Sequence, residues 1–114
     1  MAQFDVHRNP GRRSRGAIPY VVILQSRIYD RFSTHRLVAP LYYAAALPEA
    51  RSERWDGRLA PEFAVGGVSV LLNPLGITSV PAAELGDVET SLADDEAASA
   101  IVDALDRVFT RAFG

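Results

Sequence analysis

The sequence predicts a small, mainly β domain with one C-terminal helix (α+β). Three observations predict it. Short runs rich in β-branched and aromatic residues recur along the first two-thirds of the chain. Glycine and proline turns separate those runs. Only the last stretch, from Ala97, spaces its apolar residues as one face of a helix. The chain has 114 residues, so one domain over 1–114 is expected.

Gln3–His7 alternates polar and apolar residues, with Phe4 and Val6 on one face, as in a half-buried strand. Asn9–Gly16 reads NPGRRSRG, a turn or mobile loop. Ala17–Gln25 is short and apolar, the pattern of a strand buried on both faces. Asp30–Arg36 reads as a connection, and Arg36–Ala39 as a second strand that Pro40 stops. Residues 41–58 fit either a continued strand or a short helix, ended by Pro48, followed by an exposed loop that holds Trp55. Glu62–Val65 and Val68–Leu72 flank Gly66-Gly67, a two-residue hairpin signal. Asn73–Gly76 is a turn, and Ile77–Ala82 a last short strand.

In the helix, Ala97, Ala98, Ile101, Val102, Leu105, Val108, Phe109 and Ala112 form the apolar face. Ser91 with Asp94 resembles a capping box. Asp94, Asp95 and Glu96 fall in the first turn and Arg107 and Arg111 in the last, as the helix dipole favours.

Composition narrows the function. There is no cysteine, hence neither disulfides nor thiolate chemistry, which fits a reducing compartment. The N-terminus has no apolar core of a signal peptide, and the apolar runs Ala17–Leu24 and Leu37–Pro48 are too short to span a bilayer. Every basic residue is arginine. Residues 1–60 hold ten arginines against five acids, and residues 61–114 hold nine acids against two arginines. The asymmetry fits a solvated surface of biased composition or, more sharply, a basic face that receives an acidic partner. Its candidates are Arg8, Arg12, Arg13 and Arg15 in one loop and Arg27, Arg31 and Arg36 in another. His7 and His35 lack companions at metal-site spacing and read as surface strand or loop histidines. No phosphate-cradling glycine motif is present. The residues by themselves offer no evident active site, and no catalytic set, metal or cofactor is expected.

A longer pattern then emerges. Gln3-Phe4 is followed by Tyr20, Val21, Val22, Gln25, Ser26 and Asp30, then by Arg36, Leu37, Val38, Pro40 and Leu41, and later by Ser79-Val80-Pro81. Their order and spacing resemble the CcdB family of toxins over nearly the whole chain. The resemblance implies an SH3-like barrel of antiparallel strands with a small extra wing sheet and a C-terminal helix, assembled as a cytoplasmic homodimer. It implies a non-enzymatic toxin that binds the A subunit of DNA gyrase and traps the cleaved DNA complex. A cognate CcdA-like antitoxin would neutralise it with a disordered segment. Toxin and antitoxin would repress their operon together, the antitoxin alone touching operator DNA. The arginine loops suit such an acidic segment, a reading that rests on charge alone.

In the family the gyrase contacts lie at the C-terminal tail, a Trp-Gly-Ile or Thr-Gly-Ile ending. Here the tail is Thr110-Arg111-Ala112-Phe113-Gly114. Aligned on the end, Phe113-Gly114 matches the aromatic-glycine pair without the last isoleucine. Aligned on the helix, Thr110, Arg111 and Ala112 take the tripeptide's place. Two alternatives accompany this reading. One is a MazF-like endoribonuclease on the same barrel, with Arg27, Arg31, Thr34 and His35 as its suspects. The other is a degenerate toxin that binds antitoxin but spares gyrase.

Overall fold

The computed structural model describes residues 1–47 and 57–111. Seven strands form in chain order: β1 (Asp5–Arg8), β2 (Tyr20–Ile23), β3 (His35–Tyr43), β4 (Glu62–Val65), β5 (Val68–Leu72), β6 (Thr78–Pro81) and β7 (Val88–Ser91). One helix, α1 (Asp95–Phe109), follows them. The sheet runs β4-β5-β3-β2-β1-β7, every pairing antiparallel, and bends into a half-barrel. β6 is the extra strand, paired with the first half of β3 from His35 to Val38.

β2 is buried on both faces, as its composition requires. Val22 and Leu24 join Phe4, Val6, Ala39, Leu41, Val65, Val70, Leu72, Leu92 and Ile101 in the main core. Val21 and Ile23 join Val38 and Leu85 in a second cluster on the other face. The expected first strand starts two residues late, because Asp5 closes a turn on Ala2 and Phe4 adopts a φ of 69°. That left-handed conformation is uncommon for an aromatic residue. Phe4 is held there by its buried ring, by its N–H to the Ile23 carbonyl (2.7 Å) and by the Leu92 N–H to its own carbonyl (2.9 Å). The Gly66-Gly67 hairpin forms as expected, with φ of 58° and 77° at the two positions.

Pro40 does not stop β3, which runs on to Tyr43. In extended backbone a residue's C=O and N–H point to the same side. The Pro40 carbonyl accepts from Asn73 N–H (3.2 Å), so its missing N–H would also face the gap where β6 pairing has ended at Val38 and β5 pairing begins at Leu41. No ladder bond is lost there, which is where a sheet tolerates proline. The Asn73 side chain caps a short 3-10 turn over Pro74–Gly76 that fills the gap. A Cβ at Gly76 would lie 2.6 Å from Pro40 Cγ. Because a proline ring cannot swing away, Gly76→Ala is expected to cost about 1–3 kcal/mol of stability. A urea midpoint equal to wild type would refute that contact.

Residues 41–43 thus continue the strand, and Ala44–Ala46 form a single 3-10 turn. Trp55 and the loop around it lie outside the described residues. β7 went unforeseen because it is a short edge strand, mostly exposed, with no apolar alternation to announce it.

The helix N-cap is Asp94, whose carboxylate accepts from Ala97 N–H (3.2 Å). The capping box is therefore displaced: the Ser91 hydroxyl, at the end of β7, accepts from Ala93 N–H instead. Ile101 and Ala104 are buried, while Ala97, Ala98 and Leu105 pack on the core. Val102 and Phe109, expected on that face, are exposed, because the sheet covers a narrower stripe than the apolar pattern spans. Arg107 pairs with Asp103 in the last turn, whereas Arg111 lies beyond the helix end.

Candidate functional site

Three surfaces carry the residues that the sequence singled out. The first is the end of α1. Thr110 is the C-cap with extended backbone, so the helix stops at Phe109, and Arg111 is exposed. Ala112, Phe113 and Gly114 lie outside the described residues. Phe109, at 73% exposure, presents an aromatic ring beside the start of that tail.

The second surface is the segment between β2 and β3. It is a 3-10 helix over Arg27–Phe32, capped by the Ser26 hydroxyl, rather than a plain connection. Gln25 ties it down: its Nε2 donates to Asp30 Oδ1 (2.9 Å) and its Oε1 accepts from Leu37 N–H (2.8 Å). Asp30 also faces Arg36 Nε and the Met1 ammonium, each at 3.4 Å. Arg36 donates from Nη1 to the carbonyls of Ser33 and His35, both at 2.8 Å. Gln25, Ser26, Asp30 and Arg36 are thus framework, which answers for four of the residues in the family-like pattern.

The Gln25 hydrogen bond, helped by Arg36 and the Met1 ammonium and opposed by partial desolvation, holds the Asp30 carboxyl below the ordinary aspartate range. A depressed carboxyl contributes stability above its unfolded value and loses it as pH falls through the folded value. Acid unfolding of wild type is therefore expected to include an Asp30 component that Asp30→Asn lacks. Identical acid profiles for the two proteins would show that Asp30 does not contribute.

Freed of Arg36, this segment presents Arg27 and Arg31 to solvent beside a group of exposed apolar side chains. Ile28 is 68% exposed, Tyr29 58% and Phe32 71%, with Arg31 stacked 5.1 Å from the Phe32 ring centre. Exposed apolar side chains grouped in this way suit a protein partner. Sequence reasoning missed them, although three large apolar residues within an otherwise polar connection were the available signal.

The third surface is the β1–β2 loop, and it is hydrogen-bonded throughout. Buried Asn9 donates to the Ser14 hydroxyl and the Ile18 carbonyl, and accepts from Gly11 N–H. Arg15 Nε donates to the Asn9 carbonyl (2.6 Å). Arg12 and Arg13 are exposed at its turn. Arg8 and Arg15 line a cleft of about 290 Å³ with Pro19, Tyr20, Tyr43 and Glu89.

The single basic face expected from charge is thus two patches. The 27–36 segment adjoins the His35 end of β3, where Thr34 accepts from Ala82 N–H. The 8–15 loop adjoins the other end, where Tyr43 N–H donates to Ala17. At about 3.3 Å per residue the nine residues of β3 put them about 25 Å apart.

The two histidines differ in setting. His7 is buried, not on the surface, because the Leu85-Gly86 segment covers the outer face of β1. Its Nδ1 lies 2.9 Å from the Gly86 carbonyl, and its Nε2 has no partner among the described residues. His35 is exposed, with Nδ1 3.2 Å from the Thr34 hydroxyl. No group of three or more histidine or acidic side chains could hold a metal among the described residues. No described helix is long and apolar enough to cross a membrane.

The architecture matches that of two solved structures. A mycobacterial endoribonuclease solved with its cognate antitoxin matches with a TM-score of 0.64 at 18% identity, over 94% of this chain and 92% of that one. The Mycobacterium tuberculosis toxin MazF-mt6 matches with a TM-score of 0.59 at 16% identity, over 92% and 95%. At these identities the likeness shows the fold alone. No curated protein matches in sequence. The family model for the CcdB protein matches residues 3–111, and the chain belongs to the CcdB family of toxins of type II toxin–antitoxin systems.

Proposed function

We propose that the protein is a homodimeric, non-enzymatic poison of DNA gyrase that binds the A subunit and traps the cleaved DNA complex. The family match over residues 3–111 carries this reading. A toxin that acts by binding needs surfaces, and the exposed Ile28, Tyr29 and Phe32 group and the tail Thr110–Gly114 are the surfaces assigned to the target. A cognate antitoxin neutralises it by folding an acidic segment against the arginine loops, and the pair represses its own operon in the cytoplasm. Of the arginines assigned to that contact, Arg8, Arg12, Arg13, Arg15, Arg27 and Arg31 are the stronger set. Arg36 is engaged within its own loop.

The fold likeness to endoribonucleases supplies the competing reading. Its suspects Arg27, Arg31, Thr34 and His35 do share one segment, where Thr34 and His35 lie within hydrogen-bond distance and Arg31 and Thr34 line one pocket. One experiment separates the two. Purified protein is incubated with gyrase, supercoiled DNA and ATP, and in parallel with single-stranded RNA alone. Trapped double-strand breaks support the poison, RNA fragments support the nuclease, and neither product supports a degenerate toxin.

A further inference from the structure

The cleft at the end of the β1–β2 loop has a composition that gyrase binding does not use. Arg8, Tyr20 and Tyr43 share the parity of Val6, Val22 and Leu41, and Arg8 pairs with Tyr20 and Tyr20 with Leu41 across the strands. They extend the core-bearing face beyond the apolar core, and the face ends there in a rim of tyrosine and arginine. Arg15 is fixed into this rim through Nε, so its two Nη groups remain to take a ligand. Neither those groups nor the Arg8 and Glu89 side chains have a partner among the described residues. Tyr43 is exposed and lines the cleft, while Tyr20 is half-buried, packs on the core and lines it as well.

We propose that this cleft binds one nucleotide unit of a single-stranded nucleic acid, its phosphate on Arg8 and Arg15 and its base on the Tyr43 ring. Arginine cradles beside aromatic faces are how single strands are held without reading a duplex. Arg12 and Arg13 on the same loop continue the cation track for the next phosphate. Glu89 discriminates among bases. Its carboxylate lines the cleft and can accept from the exocyclic amino group of cytosine or adenine. Uracil and thymine lack that donor. The volume, about 290 Å³, suits a nucleotide-sized ligand better than a lone inorganic anion. The step is binding only, and no bond is made or broken.

The test uses the whole protein and fluorescein-labelled hexanucleotides of C, A or U, read by anisotropy against salt. C and A hexamers are expected to bind more tightly than U. Arg8→Gln is expected to weaken all three about tenfold and to flatten the salt dependence by roughly the one phosphate it no longer neutralises. Glu89→Gln is expected to reduce the preference for C and A. Both positions are exposed strand residues, and an unchanged melting curve confirms folding. No measurable binding, or binding unchanged in Arg8→Gln, overturns the proposal. The hexamers are offered without gyrase, so failure here and failure of the gyrase reading are told apart.

Discussion

Phe113→Ala is expected to abolish growth arrest and gyrase trapping while leaving the oligomeric state and the melting temperature as in wild type. The resemblance implies a target contact in the tail, where Phe113 is the one aromatic residue. A buried aromatic anchor at the centre of an interface is worth about 2–4 kcal/mol on truncation, a loss of roughly thirty-fold or more in affinity. Stability is expected to be indifferent, because α1 ends at Phe109 and its buried residues are Ile101 and Ala104. Arg111→Ala is the informative companion. Loss confined to Phe113→Ala selects the alignment on the chain end, and loss confined to Arg111→Ala selects the alignment on the helix. Full trapping by both variants would remove the tail from the target contact and leave the exposed Ile28, Tyr29 and Phe32 group as its seat.

Ile101→Ala is expected to be the most damaging single change to stability. Its side chain is fully buried, at 0% exposure, and packs in the cluster formed by Val6, Val22, Leu41 and Leu72 of the sheet. Removing its outer atoms leaves a cavity between helix and sheet, which costs about 2–5 kcal/mol. That is a large share of the roughly 5–15 kcal/mol by which domains are stable. The urea midpoint should fall while the slope of the transition stays the same. Val102→Ala, one residue along on the exposed face, is expected to change stability by less than about 0.5 kcal/mol. Equal losses for the two would mean that α1 packs on the sheet by another face.

Much of this was legible in the chain. Alternation placed β1, the Gly66-Gly67 pair placed the β4–β5 hairpin, a short apolar run placed β2, and helical spacing placed α1. Each signal is local: a residue's periodic burial is written into its own neighbours. The misses were of two kinds. β7 carries no apolar pattern, and only the unpaired edge of β1 makes it a strand. Pro40 reads locally as a breaker, and only the gap between β6 and β5 makes it harmless.

The candidate site divides in the same way. By itself the sequence determined the element types, the arginine-rich first half, the absence of thiol chemistry, and the family-like order from Gln3 to Pro81. Only the tertiary structure decided which arginines are available. Arg36 is spent on Asp30 and two carbonyls, Arg15 is anchored by one nitrogen, and Arg8 faces a cleft that β1, β2, β3 and β7 build together. It also buried His7 and exposed Ile28, Tyr29 and Phe32. The physical reason is one of range. Propensity and periodicity act over a few residues, whereas a side chain's partner, burial and accessible face are set by strands that meet from distant parts of the chain.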